Sequence, residues 1–267
     1  MQIILITTIV IALVGVIVGA GLVYTGNRFH VEVDEREAAV REVLPGNNCG
    51  ACGYAGCDAR AAAIAMGEAP VNGCPVGGAP VARQVGEIMG ASAEAAERKV
   101  AFVRCKGTCE VTHNQGNYVG INDCRAAALS GINVTACDYG CMGFGSCAAV
   151  CPQNAISVID GVAVVNRSRC VGCGLCVKAC PKRLIELVPE SKRVIVQCSN
   201  KDKGPAVKKV CQAGCIGCGI CQKQCAFDAI HVADNLASVT YENCQQCGRC
   251  VAKCPARVIT LPEGVSD

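Results

Sequence analysis

One unbroken apolar stretch dominates the pattern at the start of the chain. From Ile3 to Tyr24 the sequence reads IILITTIVIALVGVIVGAGLVY and contains no charged residue. About 20 apolar residues, at about 1.5 Å of rise each, span a hydrocarbon core of roughly 30 Å. The pattern therefore predicts a single membrane-spanning helix, with the anchor assigned to residues 1–26.

The charges around this stretch indicate how it is used. No Lys or Arg precedes it, as a basic segment would in a cleaved secretory signal, so we expect the helix to be retained. Arg28, Arg36 and Arg41 follow it, and the positive-inside rule then places the bulk of the chain in the cytoplasm. Gly15 and Gly19 lie on one helical face, either as a contact for a partner helix or as ordinary membrane-helix glycines.

Beyond the anchor, the apolar positions are sparse and the predicted elements are short. Residues 30–42 are polar and predict a short strand or helix, and an Ala-rich helix is predicted over Asp58–Met66. Residues 76–101 begin with Gly, Ala and Pro and predict a linker with one helix after Ala91. Residues 229–232 and 237–241 have the β-rich composition of a small hairpin. The fold class is therefore predicted to be α+β.

Composition excludes an ordinary aromatic-rich core. The chain of 267 residues has 25 Cys, five Tyr, four Phe and no Trp. So high a cysteine content indicates either a disulfide scaffold or a metal protein, and the spacing must distinguish the two. The net charge of +3 indicates no nucleic-acid partner.

Nine cysteines recur at one offset of 74 residues, which indicates an internal duplication. Within the copies, Cys-x2-Cys-x2-Cys-x3-Cys occurs three times, the spacing of iron-sulfur ligands rather than of disulfides. Structural zinc is the rival for isolated sets of four thiolates. The first copy holds Cys124, Cys137, Cys141, Cys147, Cys151, Cys170, Cys173, Cys176 and Cys180, and the second holds Cys198, Cys211, Cys215, Cys221, Cys225, Cys244, Cys247, Cys250 and Cys254.

Each copy resembles a bacterial two-cluster ferredoxin, in which the fourth Cys of each run ligates the cluster of the other run. In the second copy this assigns one [4Fe-4S] cluster to Cys215, Cys218, Cys221 and Cys254. It assigns the neighbouring cluster to Cys225, Cys244, Cys247 and Cys250.

The first copy departs from this pattern. One complete cluster is expected on Cys151, Cys170, Cys173 and Cys176. Phe144 stands where its neighbour needs a ligand, so that cluster has Cys141, Cys147 and Cys180, with Cys137 as the nearest candidate for a fourth thiolate. A three-iron cluster is the alternative.

Two further sets lie outside the duplicated runs. Cys49, Cys52, Cys57 and Cys74 are expected to hold one [4Fe-4S] cluster, with glycines that let the backbone approach the sulfur. Cys105, Cys109 and Cys124 would hold another, with Cys198 or Cys211 as the fourth ligand, unless these are free structural cysteines. Five clusters are thus expected, and six if this last set binds one.

The order of these parts resembles the B subunit of the Rnf complex, a membrane-bound ferredoxin:NAD+ oxidoreductase. The resemblance is carried by the N-terminal helix, by the loop Asn-Asn-Cys-Gly-Ala-Cys-Gly-Tyr-Ala-Gly-Cys at residues 47–57 and by the ferredoxin pairs. The implied domains are 1–26 as anchor, 27–90 as the four-Cys domain, and 91–190 and 191–267 as two ferredoxin-like modules.

The resemblance implies an electron-transfer subunit in the bacterial cytoplasmic membrane. Soluble ferredoxin would be its donor, membrane and flavoprotein subunits its partners, and NAD+ reduction would be coupled to Na+ or H+ translocation. This chain carries no complete active site, since it has no dinucleotide fingerprint and no ion-binding residue in mid-helix. Lys201, Lys203, Lys208 and Lys209 form either a solvated loop or a landing site for an acidic electron carrier.

Two other functions remain compatible with the sequence. The first is a membrane-tethered polyferredoxin that reduces a regulator or a hydrogenase without ion pumping. The second is a metal-storage or structural zinc protein.

Overall fold

The apolar stretch forms the longest helix of the chain. The structure is a computed structural model that describes residues 2–28, 34–92, 97–113, 116 and 118–261. Helix α1 covers Gln2–Arg28. Its segment Ile4–Thr25 is long and apolar enough to cross a membrane, judged by length and composition. The predicted helix is therefore present, and the large apolar side chains described on it, such as Leu13 and Leu22, are exposed.

Three helices follow and pack into a small unit. They are α2 (Glu35–Val43), α3 (Cys57–Ala65) and α4 (Gly78–Met89). Val40, Leu44, Ile64 and Val85 form the buried core between them. The segment predicted as strand or helix over residues 30–42 is a helix from Glu35, while residues 29–33 lie outside the described residues. The predicted Ala-rich helix is confirmed as α3.

The expected linker over residues 76–101 was wrong, because its first half is helix α4. Val81 and Val85 lie one turn apart on α4 and pack onto the core of the three-helix unit. Pro80 falls in the first turn, where a missing N–H costs nothing, and Gly90 ends the helix with φ 65°. The helix predicted after Ala91 falls partly on residues 93–96, outside the described residues, and is followed by a strand.

The first repeat, residues 99–189, consists of two small antiparallel sheets and three short helices. Its elements in order are β1 (Lys99–Val103), α5 (Cys124–Leu129), α6 (Ser146–Ala149), β2 (Ile156–Ile159), β3 (Val162–Val165), α7 (Leu175–Ala179) and β4 (Ile185–Pro189). The strand β1 pairs with β4, and β2 and β3 form a hairpin.

The second repeat, residues 195–260, has the same plan. The elements are β5 (Ile195–Val196), α8 (Gly204–Val210), α9 (Ile220–Lys223), β6 (Ile230–Ala233), β7 (Leu236–Val239), α10 (Arg249–Lys253) and β8 (Ile259–Thr260). The strand β5 pairs with β8, and β6 with β7. The predicted hairpin is confirmed, and Asp234 and Asn235 form its turn with φ 49° and 60°.

The 74-residue offset fails at the first strand of each repeat. Val103 pairs with Ile185 in the first repeat, and Val196 pairs with Ile259 in the second. Ile185 and Ile259 are 74 positions apart, so Val103 and Val196 occupy equivalent places. The structural counterpart of Cys198 is therefore Cys105 rather than Cys124, which the sequence offset had aligned with it.

Cysteines and aliphatic side chains together fill the cores of both repeats. Val100, Leu184 and Ile185 pack with Cys147 and Cys176 in the first repeat. In the second, the corresponding cluster contains Val194, Ile230 and Val258 with Cys215, Cys221 and Cys244. Cysteine side chains are thus part of the buried core of each repeat.

Candidate metal centres

The thiols of this chain form no disulfide, and all 25 cysteines are free. Among the residues that the structure describes, no three His, Cys, Asp or Glu side chains converge closely enough to hold a single metal ion. A tetrahedral zinc site needs its sulfurs at about 2.3 Å from one point. Sets of cysteines that surround a larger volume instead suit a polynuclear cluster.

Two such sets lie in the second repeat. Site 5 surrounds one pocket and consists of Cys215, Cys218, Cys221 and Cys254. Site 6 surrounds another and consists of Cys225, Cys244, Cys247 and Cys250. Cys221 lies on α9 and Cys225 follows it, and the two thiols line different pockets. The fourth cysteine of each run therefore lines the pocket of the opposite set, as the resemblance to two-cluster ferredoxins implies.

Site 2 lies in the first repeat and consists of Cys151, Cys170, Cys173 and Cys176. Burial raises the pKa of Cys176 to about 12, and the charges of Cys170 and Cys173 raise it as well. Burial also raises the pKa of Cys173, together with the charges of Cys49, Cys151 and Cys170. Cys151, Cys170 and Cys176 also pack in one core cluster of the first repeat.

Site 3 has a composition that the sequence did not predict. Its pocket is lined by Cys124, Cys141, Cys147 and Cys180. We expected Cys137 beside the last three, and the structure brings Cys124 there instead. Burial raises the pKa of Cys147 to about 11, with added contributions from Cys141, Cys124 and Cys180.

Helix α5 carries Cys124 into site 3. Asp123 caps this helix by accepting hydrogen bonds from the N–H groups of Arg125 and Ala126. Ser146 Oγ donates to the Asp123 carboxylate and accepts from the Cys124 N–H, each at 2.7 Å. These bonds fasten α5 to α6, which carries Cys147. Cys124 thus fills the place that Phe144 leaves without a thiol.

Site 4 lies between the two repeats and takes two cysteines from each. Its pocket is lined by Cys105, Cys137, Cys198 and Cys211. The N–H of Cys141 donates to Cys105 Sγ at 3.4 Å, and the N–H of Cys215 donates to Cys198 Sγ at 3.3 Å. These two bonds are equivalent in the two repeats, so the site has approximate twofold symmetry.

The segment that follows Cys105 closes site 4. Thr112 forms an isolated β-bridge with Cys211, and its Oγ1 donates to the Val210 carbonyl at 2.9 Å. Cys109 lies outside this pocket. It is exposed, and its N–H donates to the Asp160 carbonyl at 2.9 Å. The expected grouping of Cys105 with Cys109 and Cys124 is therefore not what the structure brings together.

Site 1 is the set Cys49, Cys52, Cys57 and Cys74 of the three-helix unit. Asn48 Oδ1 accepts the N–H of Cys57 at 2.8 Å, and Cys74 Sγ accepts the N–H of Gly77 at 3.4 Å. The first bond holds the two ends of the cysteine loop together at the start of α3, and the second lies in the turn that follows Cys74. Cys52 and Cys74 also line a cleft of about 1270 Å³, opposite Cys173 of site 2.

Backbone N–H groups are directed at many of the sulfurs. Ala155 donates to Cys151 Sγ and Ala229 donates to Cys225 Sγ, both at 3.3 Å and at equivalent places in the two repeats. Such donors stabilise the anionic form of a ligated sulfur and tune the potential of an iron-sulfur centre. The donor set therefore fits [4Fe-4S] clusters. Each repeat has two small sheets and a core in which aliphatic side chains pack with cysteines. This arrangement defines an iron-sulfur protein with ferredoxin-like domains.

Three family models match the chain. A model for an Fe-S cluster segment covers residues 44–76, a 4Fe-4S binding domain covers residues 163–186, and a 4Fe-4S dicluster domain covers residues 214–259.

Several relatives match nearly the whole chain. The chain is 47% identical to the B subunit of a Na+-translocating ferredoxin:NAD+ oxidoreductase complex from Acetobacterium woodii, over 94% of this chain and 76% of the relative. It is 44% identical to the B subunit of a proton-translocating ferredoxin:NAD+ oxidoreductase complex from Clostridium ljungdahlii, over 97% and 93%. It is 41% identical to the B subunit of an ion-translocating oxidoreductase complex from Methanosarcina acetivorans, over 94% and 96%. The chain belongs to this family of B subunits.

The sequence pattern assigned Cys137 to site 3 and did not predict that Cys124 lies there, with Cys137 in site 4. One sequence pattern could have predicted the correct grouping. Val103-Arg-Cys105 and Val196-Gln-Cys198 share the pattern Val-x-Cys at the end of the first strand of each repeat. That pattern relates Cys105 to Cys198 and leaves Cys124 for another site.

Proposed function

We propose that this chain is the electron-input subunit of a membrane-bound ferredoxin:NAD+ oxidoreductase complex. It accepts electrons from a soluble reduced ferredoxin and delivers them to membrane and flavoprotein subunits, where NAD+ reduction drives Na+ or H+ translocation. Relatives that carry these activities in their names support the proposal, and so do the 4Fe-4S domains. Fold and donor set favour this electron-transfer role over zinc binding.

Sites 1 to 6 would each hold one [4Fe-4S] cluster, which gives six clusters and uses every cysteine except Cys109. When bound, these clusters supply one-electron redox centres. Cys124 takes the role that we had expected for Cys137, and Cys137 joins Cys105, Cys198 and Cys211 in site 4. Burial raises the pKa of Cys105 to about 12, so its thiol carries a proton at neutral pH that metal ligation displaces.

The observation that carries the proposal is the order in which neighbouring sites contact one another. Cys52 and Cys74 of site 1 line one cleft with Cys173 of site 2, and Cys147 of site 3 packs in one core cluster with Cys170 and Cys176 of site 2. Hydrogen bonds link Cys141 of site 3 to site 4 and Cys215 of site 5 to site 4. Site 6 adjoins site 5 across α9. The six sites therefore follow one another from the second repeat to the three-helix unit.

A basic surface on the second repeat suits the docking of an acidic electron carrier. Lys201, Lys203, Lys208 and Lys209 are all exposed. The Lys201 carbonyl accepts a hydrogen bond from Asn235 Nδ2 at 3.0 Å, and Asn235 lies against Gly217 in the loop of site 5. Positive charge beside site 5 would steer an acidic ferredoxin to this end of the chain.

The opposite end leads to the membrane. Helix α1 would cross the bacterial cytoplasmic membrane once, with residues 27–90 as the domain of site 1 on the cytoplasmic side. Residues 91–190 and 191–267 would form two tandem ferredoxin-like modules. Site 1 is then the last centre of this chain before the membrane subunits.

The test supplies reduced ferredoxin and NAD+ to membrane vesicles that hold the complex. Cys49→Ser should abolish NAD+ reduction, while ferredoxin should still reduce the centres of the second repeat. EPR measures that reduction. Cys109→Ser is the matched control and should retain the full rate. NAD+ reduction at the full rate in Cys49→Ser would overturn the proposed role of site 1.

The same vesicles distinguish the uncoupled alternative. If the chain serves ion pumping, inverted vesicles accumulate Na+ or H+ during ferredoxin-dependent NAD+ reduction. Electron transfer from ferredoxin without accumulation of either ion would favour a membrane-tethered polyferredoxin.

A further inference from the structure

A buried arginine in the three-helix unit has no carboxylate partner. Arg60 is 2% exposed and lies one helical turn after Cys57 on α3. Its Nη2 donates to the Pro70 carbonyl at 2.8 Å, and its Nε has no hydrogen-bond partner. The guanidinium carbon lies 5.8 Å from the centre of the Tyr54 ring. These contacts orient the group but leave its positive charge uncompensated.

The acidic side chain nearest in sequence is engaged elsewhere. Asp58 forms an ion pair with Arg41, and it is 75% exposed at its side chain. Among the residues that the structure describes, Arg60 takes part in no ion pair. A buried cation is costly unless negative charge compensates it, so the compensating charge must come from another group.

Two cysteines of site 1 lie on the chain segments that flank this position, Cys57 at the start of α3 and Cys74 next to Gly73. A Cβ atom on Gly73 would lie 2.7 Å from Arg60 Nη2, so the guanidinium packs directly on that residue. Gly73 precedes Cys74, and neighbouring Cα atoms are about 3.8 Å apart. The Arg60 guanidinium therefore lies between the helix that begins at Cys57 and the loop that ends at Cys74. Both of these cysteines belong to site 1.

We propose that Arg60 is the counter-ion of site 1 and raises the reduction potential of the cluster bound there. This inference rests on the proposed cluster at site 1. Reduction adds one electron to the cluster and one negative charge to the site. A fixed buried cation stabilises that charge most strongly in the reduced form. Arg60 would act on the cluster through its charge alone, since it ligates nothing itself.

The test measures the midpoint potential of site 1 in the full chain by potentiometric EPR titration. The signal that disappears in Cys74→Ser identifies site 1. Arg60→Gln removes the charge and keeps a donor for the Pro70 carbonyl. We expect the reduced-to-oxidised ratio of site 1 at fixed potential to fall at least tenfold, which is a shift of about 59 mV to more negative potential.

Three variants separate charge from structure. Arg60→Lys should keep the potential near the wild-type value, and Arg83→Gln, which removes an exposed cation on α4 of the same unit, should leave it unchanged. Gly73→Ala should displace the guanidinium and produce a smaller shift in the same direction. A wild-type potential in Arg60→Gln would overturn the inference, as would equal shifts in Arg60→Gln and Arg60→Lys.

These outcomes are distinct from a failure of the proposed function. If the wild-type protein showed no EPR signal that Cys74→Ser removes, the cluster at site 1 itself would be refuted. An intact site 1 signal with an unchanged potential refutes only the role of Arg60.

Discussion

Single cysteines decide how many centres this chain holds. Cys124 and Cys137 are similar in sequence context, since neither belongs to a complete ligand run. In the structure, Cys124 lines the pocket of site 3 and Cys137 the pocket of site 4. Asn200 Nδ2 donates to Cys137 Sγ at 3.4 Å, which fixes that thiol against the second repeat. Each cysteine is thus committed to one site, and their substitutions should have separable effects.

We predict that Cys124→Ser loses a centre or converts site 3 into a three-iron cluster. Cys137→Ser should affect site 4 alone, because its thiol lies in the other pocket. Iron and sulfide analysis with EPR of the anaerobically purified protein measures both effects. Cys109→Ser, which changes an exposed cysteine, should keep the wild-type iron content. Loss of iron in Cys109→Ser equal to that in Cys124→Ser would contradict the assignment.

At the scale of elements, short loops of fixed conformation hold the cysteines in place. Gly217 and Gly219 flank Cys218 in site 5 and have φ 64° and 71°. A Cβ on Gly217 would lie 2.8 Å from the Asn235 carbonyl oxygen in the β6–β7 turn, whereas a Cβ on Gly219 meets nothing within 4 Å. The loop of site 5 therefore packs backbone to backbone on the hairpin at one glycine only.

We predict that Gly217→Ala is more destabilising than Gly219→Ala. Both alanines would cost about 1–2 kcal/mol for the left-handed conformation. Only the first must also displace the hairpin backbone, so it should lower the iron content of site 5 as well. Thermal unfolding of the holoprotein and iron analysis measure the difference. Equal melting temperatures in the two variants would contradict the close packing of loop and hairpin.

Several elements followed from local pattern, and helix α4 shows why others did not. The hairpin at residues 230–239 is predicted from composition and turn residues, and the long helix from its apolar length. Helix α4 was missed because its Gly, Ala and Pro residues favour a loop locally. Packing of Val81 and Val85 onto the core of Val40 and Ile64 overrides that preference.

At the scale of the whole molecule, α1 is a helix long and apolar enough to cross a bilayer. Its described large side chains are exposed, with Val14 at 53% and Val18 at 55%. Lipid is the solvent that such a surface needs.

We predict that Val14→Lys combined with Val18→Lys releases the protein from membranes. Each lysine near the helix centre costs about 2.5–3.5 kcal/mol of insertion free energy. The variant with leucine at both positions keeps the apolar surface and should remain bound. Alkaline carbonate extraction followed by immunodetection measures the distribution. Lysine and leucine variants that remain equally membrane-bound would indicate that another protein of the complex, rather than α1, holds the chain.

The sequence by itself determined the long apolar helix and the duplicated cysteine runs, because each is written in short-range spacing. The crossed grouping of cysteines in sites 5 and 6 followed from the resemblance to two-cluster ferredoxins. The tertiary structure decided sites 3 and 4. Their thiols come from segments as far apart as Cys105 and Cys211, and the 74-residue offset cannot report how the chain between Cys105 and Cys137 folds back. That segment places α5 at site 3 and pairs Thr112 with the second repeat. Which thiols meet there depends on those long-range contacts, which local sequence patterns do not contain.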